Sequence, residues 1–176
     1  MKKLKCILID DEPRNLELLT YYIEKYCTDL QIEATFSKRV EAEDFLKDDN
    51  KRSAVDILFL DLILDEGTGF DLLDQIDYSS LHIVICTAHD EFALKAIQYE
   101  VVDYLLKPIE IQDLQQTIEK IKSKHKNQEK ASYDAEAISK FSTNSYELDK
   151  PVIIKNKNAI ELVLSKDIVF YRSSIF

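Results

Sequence analysis

Two short runs, Ile7-Leu8-Ile9 and Ile57-Leu58-Phe59-Leu60, are apolar at every position, and each is followed at once by aspartate. A strand that alternates apolar and polar residues buries one face, whereas a strand that is apolar throughout needs cover on both. The pattern therefore points to a parallel sheet enclosed between two layers of helix, with right-handed crossovers. β-like runs at residues 4–10, 31–36, 55–61, 82–86 and 101–106 alternate with stretches of helical period, giving strand then helix five times. Leu16, Leu19, Ile23 and Tyr26 share one helical face, as do Ile111, Leu114, Ile118 and Ile121, so both helices can lie on a sheet. Pro13 suits a first helical turn. Gly67 and Gly69, the only two glycines of the chain, fall in the turn between the third strand and the third helix. The fold class is α/β: a doubly wound five-stranded parallel sheet over residues 1–125.

Composition sets bounds on the rest. A chain of 176 residues, 45% hydrophobic and 32% charged, can bury one full core and part of a second. No apolar run approaches the roughly 20 residues that span a bilayer. Met1-Lys2-Lys3 leads straight into a β-like run instead of a signal peptide, which predicts a soluble cytoplasmic protein with no membrane partner. Cys6, Cys27 and Cys86 are far apart and odd in number, and read as buried reduced thiols, not as a disulfide framework or a zinc site. His82, His89 and His125 lack ligand spacing and receive no role. Charge is uneven: residues 1–121 hold 13 Lys/Arg against 26 Asp/Glu, whereas residues 122–176 hold 10 against 7. The acidic part repels nucleic acid, so any such contact belongs to the tail.

Residues 124–149 are polar and rich in Lys, Ser, Asn and Glu, which reads as an extension of the last helix followed by a linker, with the linker set at 126–150. Beyond Pro151, β-like pieces at 152–155, 159–164 and 168–171 look like the opening strands of a second, incomplete domain at 151–176.

Ligands of doubly wound sheets bind at the carboxyl ends of the strands, and here those ends carry Asp10-Asp11-Glu12, Asp61, Thr87 and Lys107. An aspartate after an apolar strand is, taken singly, more often a helix cap or a solvated turn. Acid, acid, hydroxyl and Lys-Pro after strands 1, 3, 4 and 5 in that order is a different matter. Clustered carboxylates repel one another and are relieved by a hard divalent cation. Mg²⁺ takes oxygen ligands at about 2.0–2.1 Å and bridges carboxylates to a phosphate. Asp11 and Asp61 would bind it directly and Asp10 through water. A carboxylate whose surroundings neutralise the phosphoryl oxygens can attack phosphorus to give an acyl phosphate. Asp61 would attack, Lys107 would pair with the incoming group, and Thr87 would hydrogen-bond it.

These residues resemble the response-regulator receiver family, on Ile7-Leu8-Ile9-Asp10-Asp11-Glu12-Pro13, Phe59-Leu60-Asp61-Leu62, Thr87-Ala88 and Asp103-Tyr104-Leu105-Leu106-Lys107-Pro108. The resemblance covers residues 4 to about 122 and implies a flavodoxin-like, CheY-like receiver. It implies that Asp61 receives a phosphoryl group from a phosphohistidine of a sensor histidine kinase, with Asp10, Asp11, Asp61 and the backbone carbonyl of Ile63 serving a Mg²⁺ site. It also implies slow self-dephosphorylation, so the protein would be a phosphoacceptor switch and not an enzyme in the ordinary sense. Thr87 would shift toward the phosphoryl group and Tyr104 would turn inward, remodelling the surface of the fourth helix, fifth strand and fifth helix and favouring a homodimer. Lys107-Pro108 resembles the family's cis peptide. His89-Asp90-Glu91-Phe92-Ala93-Leu94-Lys95-Ala96 and Val102-Asp103-Tyr104-Leu105 are similar to the subgroup joined to LytTR DNA-binding domains, and residues 151–171 are similar to the opening strands of such a domain. DNA is a partner of the full-length family. The 26 residues from Pro151 to Phe176 lack the strands and loops that contact it, so sequence-specific DNA binding is not expected of them alone.

Two other function classes fit the same fold. A phosphorylation-independent interaction or dimerisation module would bind its partner equally well without a phosphodonor, and the intact acceptor set weighs against it. A flavin or nucleotide binder would present Gly, Ser or Thr amides after the first strand, where this chain has Asp-Asp-Glu-Pro.

Overall fold

The computed structural model describes residues 3–65, 67–138, 151–156 and 159–164, with side chains as far as residue 124. Two compact units divide the chain, Met1–Gln128 and Glu129–Phe176. In chain order the elements are β1 (Leu4–Ile9), α1 (Pro13–Tyr26), β2 (Leu30–Phe36), α2 (Arg39–Lys47), α3 (Asp49–Arg52), β3 (Ile57–Leu60), β4 (Ile63–Leu64), β5 (Gly67–Thr68), α4 (Gly69–Leu73), β6 (His82–Thr87), α5 (Ala93–Ala96), β7 (Asp103–Leu106), α6 (Ile111–Ile138), β8 (Pro151–Asn156) and β9 (Ala159–Leu164).

β2, β1, β3, β6 and β7 form, in that order, a five-stranded sheet in which every pairing is parallel. The two wholly apolar runs occupy β1 and β3 near its middle, where helices cover both faces. Side-chain alternation divides the interior into two clusters. Ile7, Ile9, Leu58, Leu60, Ile83 and Ile85 pack with Ala42 and Leu46 of α2, Phe70 and Leu72 of α4 and Ala96 of α5. Cys6, Leu8, Ile57, Phe59, Val84 and Cys86 pack with Leu19 and Ile23 of α1 and Leu114, Ile118 and Ile121 of α6. Each aliphatic side chain enclosed this way contributes about 1.5–3 kcal/mol. The three cysteines are free and buried.

The structure differs from the sequence reading in detail. Tyr26, expected on the buried face of α1, is 36% exposed at the helix end. β7 begins at Asp103, because Glu100 adopts a left-handed φ of 53° and the chain straightens only after Val102. Residues 63–68 are not a simple turn: β4 and β5 pair antiparallel, Ile63 opposite Thr68 and Leu64 opposite Gly67. Gly67 has φ +107°, and a Cβ at Gly69 would lie 2.5 Å from the backbone oxygen of Asp61. Glycine is needed at both positions, for conformation at one and for clearance at the other.

α6 runs to Ile138, so a helix occupies the first part of residues 126–150. β8 and β9 pair antiparallel from Pro151 opposite Leu164 to Asn156 opposite Ala159. Residues 139–150 of the expected linker and the β-like piece at 168–171 lie outside the described residues. Among the described residues, no helix is long and apolar enough to cross a membrane.

Candidate functional site

The carboxyl ends of β1, β3, β6 and β7 lie side by side, and backbone hydrogen bonds lock them together. The Asp10 N–H donates to the Phe36 carbonyl at 3.1 Å, Asp61 N–H to the Ile9 carbonyl at 2.9 Å, and Lys107 N–H to the Thr87 carbonyl at 2.8 Å. Asp10, Asp61, Thr87 and Lys107 are thus each the last residue of a strand or the next one beyond it. The side chains converge on a cleft of about 460 Å³ whose lining includes Asp10, Asp11, Asp61, Ile63, Thr87 and Lys107.

Asp10 and Asp61 are each only 6% exposed. The Lys107 ammonium donates to both, to Asp10 Oδ2 at 2.6 Å and to Asp61 Oδ2. Asp61 Oδ1 accepts the Ile63 N–H at 3.2 Å. Asp10 Oδ1 accepts the Glu12 N–H at 3.0 Å and the Asn15 side-chain amide at 3.1 Å. Burial lowers the affinity of Lys107 for its proton, but the hydrogen bonds and charges of Asp10 and Asp61 together outweigh it, and the net shift is upward. Lys107 therefore remains a cation across the physiological range. The Asp11 carboxyl is raised, first by burial and then by the negative charges of Asp10, Asp61 and Asp65.

Ligand oxygens of Asp10, Asp11 and Asp61 all lie within 4.8 Å of one another. An all-oxygen, anionic donor set of this size fits a hard divalent cation such as Mg²⁺, which would relieve the share of the upward shift at Asp11 that comes, after burial, from the neighbouring carboxylates. Facing the cluster, Thr87 is fully buried and its hydroxyl has no hydrogen-bond partner. A buried hydroxyl left unpaired costs about 1–3 kcal/mol, so the site holds a donor that an acceptor oxygen entering the cleft would satisfy.

The Tyr104 hydroxyl donates to the backbone carbonyl of His89. Burial, with the charges of Glu91, Asp90 and Asp61, raises that phenol. The Lys107-Pro108 peptide is cis. The His89 ring hydrogen-bonds Glu91 at 2.9 Å, so at this position the backbone is what engages the site. Asn15 was not singled out from the sequence, where Glu12 entered only within the Asp10-Asp11-Glu12 run. The available signal was position alone, since the first turn of a helix that follows Asp10-Asp11 must return one residue to the acidic cluster.

Residues 6–119 match the response regulator receiver domain family. The sensory transduction protein LytR of Staphylococcus haemolyticus is 32% identical over 128 residues, covering 70% of this chain and 47% of that protein. The transcriptional regulatory protein BtsR of Escherichia coli K12 is 28% identical over 171 residues, covering 97% of this chain and 66% of that protein. The chain spans about half the length of LytR and of the LytT of Enterococcus faecalis. Among solved structures, the receiver domain of AraT from Geobacillus stearothermophilus is 30% identical with a TM-score of 0.61, covering 72% of this chain and 98% of that one. The response regulatory domain of mrkE from Klebsiella pneumoniae is 25% identical, also with a TM-score of 0.61, covering 70% and 99%. With the strand order, the clustered acids and the family match in agreement, this chain belongs to the response regulator receiver domain family of two-component systems.

Proposed function

We propose that this chain is a phosphoacceptor switch in which Asp61 takes a phosphoryl group from a phosphohistidine of a sensor histidine kinase. The observation that carries the reading is the convergence, in one cleft, of three carboxylates, the Lys107 ammonium and the unpartnered Thr87 hydroxyl. An Asp61 carboxylate oxygen forms the new O–P bond. The P–N bond to the imidazole breaks, and the imidazole leaves with the electron pair and takes up a proton. Lys107, already bound to Asp61, pairs with a phosphoryl oxygen, and Thr87 donates its free hydroxyl to another. Asp10, Asp11, Asp61 and the Ile63 carbonyl would hold Mg²⁺, which would neutralise phosphoryl charge when bound.

Movement of Thr87 shifts the segment after β6, which includes the His89 carbonyl that holds Tyr104. Tyr104 then turns inward and alters the surface of α5, β7 and α6, where a second copy docks. Relatives are named as sensory transduction and transcriptional regulatory proteins, and we assign the switch a LytTR-type transcriptional output.

Intact-protein mass after incubation with acetyl phosphate tests the chemistry. A gain of one phosphoryl group is expected with Mg²⁺, and none without it or in Asp61→Asn. A folded wild-type chain that gains nothing would count against the switch and favour a phosphorylation-independent interaction module.

A further inference from the structure

Asn15 stands in the first turn of α1 and lines the cleft beside Asp10. Its side-chain nitrogen lies 3.1 Å from Asp10 Oδ1 and 3.3 Å from Glu12 Oε2. A primary amide carries two N–H donors, so both bonds form at once. Asp10 Oδ1 also takes the Glu12 N–H, and Oδ2 takes the Lys107 ammonium. One oxygen of Asp10 is therefore fastened by the start of α1, which leaves the other directed at Lys107 and Asp61. Glu12 is the N-cap of α1 yet makes no capping bond with its side chain. Its carboxylate is instead drawn to the Asn15 amide at the rim of the cleft.

The Lys107 ammonium offsets the repulsion between Asp10 and Asp61, but the third carboxylate of the cluster, Asp11, still favours rotation of Asp10 away from it. A donor that pins Asp10 opposes that rotation and keeps the cluster in the spacing a divalent cation requires. We propose that Asn15 is a positioning residue of the cation site, holding Asp10 and Glu12 by its two amide donors so that Asp10 is preset for Mg²⁺. The proposal rests on the cation reading of the acidic cluster. A bland alternative is that Asn15 merely helps α1 to begin, which would affect stability and leave cation affinity alone.

Magnesium titration of the 176-residue chain, followed by amide shifts in NMR spectra, separates the two. Asn15→Ala is expected to weaken Mg²⁺ binding about tenfold. Asn15→Leu, which keeps side-chain bulk and helix propensity without the donors, is expected to do the same and decides the matter if the alanine variant is poorly folded. Arg14→Ala, in the same helical turn, should leave the affinity unchanged. Phosphoryl uptake by Asn15→Ala should need more Mg²⁺ for half-saturation and reach the wild-type rate when saturated. Unaltered affinity in the folded Asn15 variants, or an equal loss in Arg14→Ala, overturns the proposal and leaves the cation site standing. A wild-type chain whose shifts ignore Mg²⁺ overturns both.

Discussion

At the scale of single residues, the interior titrates as well as the site. Cys6 is fully enclosed in β1, and burial, followed by the charges of Cys27, Asp56 and Glu33, pushes its thiol from 9.0 to about 12. Cys86 is pushed the same way, chiefly by burial. A thiol that resists ionisation in the folded state favours that state fully below pH 9. The contribution is lost as pH climbs from 9 toward 12, at up to about 1.4 kcal/mol per pH unit for one such group. Urea unfolding midpoints should therefore fall between pH 9 and 11, and less steeply in Cys6→Val. Equal slopes in the two proteins would assign the alkaline loss to other groups. That these thiols are buried was readable from the apolar runs around Cys6 and Cys86. The work of Asn15 was not, because an amide in a first helical turn carries no mark of which carboxylate it will meet.

Between residue and fold lies the element, and the segment joining β3 to α4 is the most constrained. The Gly69 N–H donates to the Leu62 carbonyl at 2.9 Å, and Thr68 and Asp71 form a reciprocal capping box at the start of α4. Gly69→Ala would drive a Cβ against the Asp61 carbonyl, which is backbone and cannot rotate away. The expected cost is about 1–3 kcal/mol in equilibrium urea unfolding; a loss below about 0.5 kcal/mol would mean that β4 and β5 shift to make room. Legibility divides along the same lines. β1, β3 and β6 each hold four consecutive apolar residues, and α1 and α6 are long enough to show a period, so all five could be read. α3, α4 and α5 have four or five residues and β4 and β5 two each, too few for any period to emerge. Those elements exist because the completed sheet and caps hold them, not because of local preference.

For the molecule as a whole, all the proposed site residues and both apolar clusters lie within Met1–Gln128. A fragment ending at Gln128 is expected to unfold in one cooperative transition and to take up phosphoryl from acetyl phosphate at the rate of the full chain. A molten fragment, or one that folds but reacts several-fold more slowly, would show that residues beyond it support the site. The fixed register of the parallel sheet has a further consequence, for how such a chain can change length over evolutionary time. Asp10, Asp61, Thr87 and Lys107 come from four strand ends whose neighbours are set pair by pair, Ile9 beside Leu60 and Leu60 beside Ile85. One residue inserted before Asp61 within β3 would carry it about 3.3 Å along the strand and turn it to the opposite face. Insertions and deletions can accumulate in the loops at the amino ends of the strands. At the carboxyl ends of β1, β3, β6 and β7 the count of residues is itself part of the chemistry.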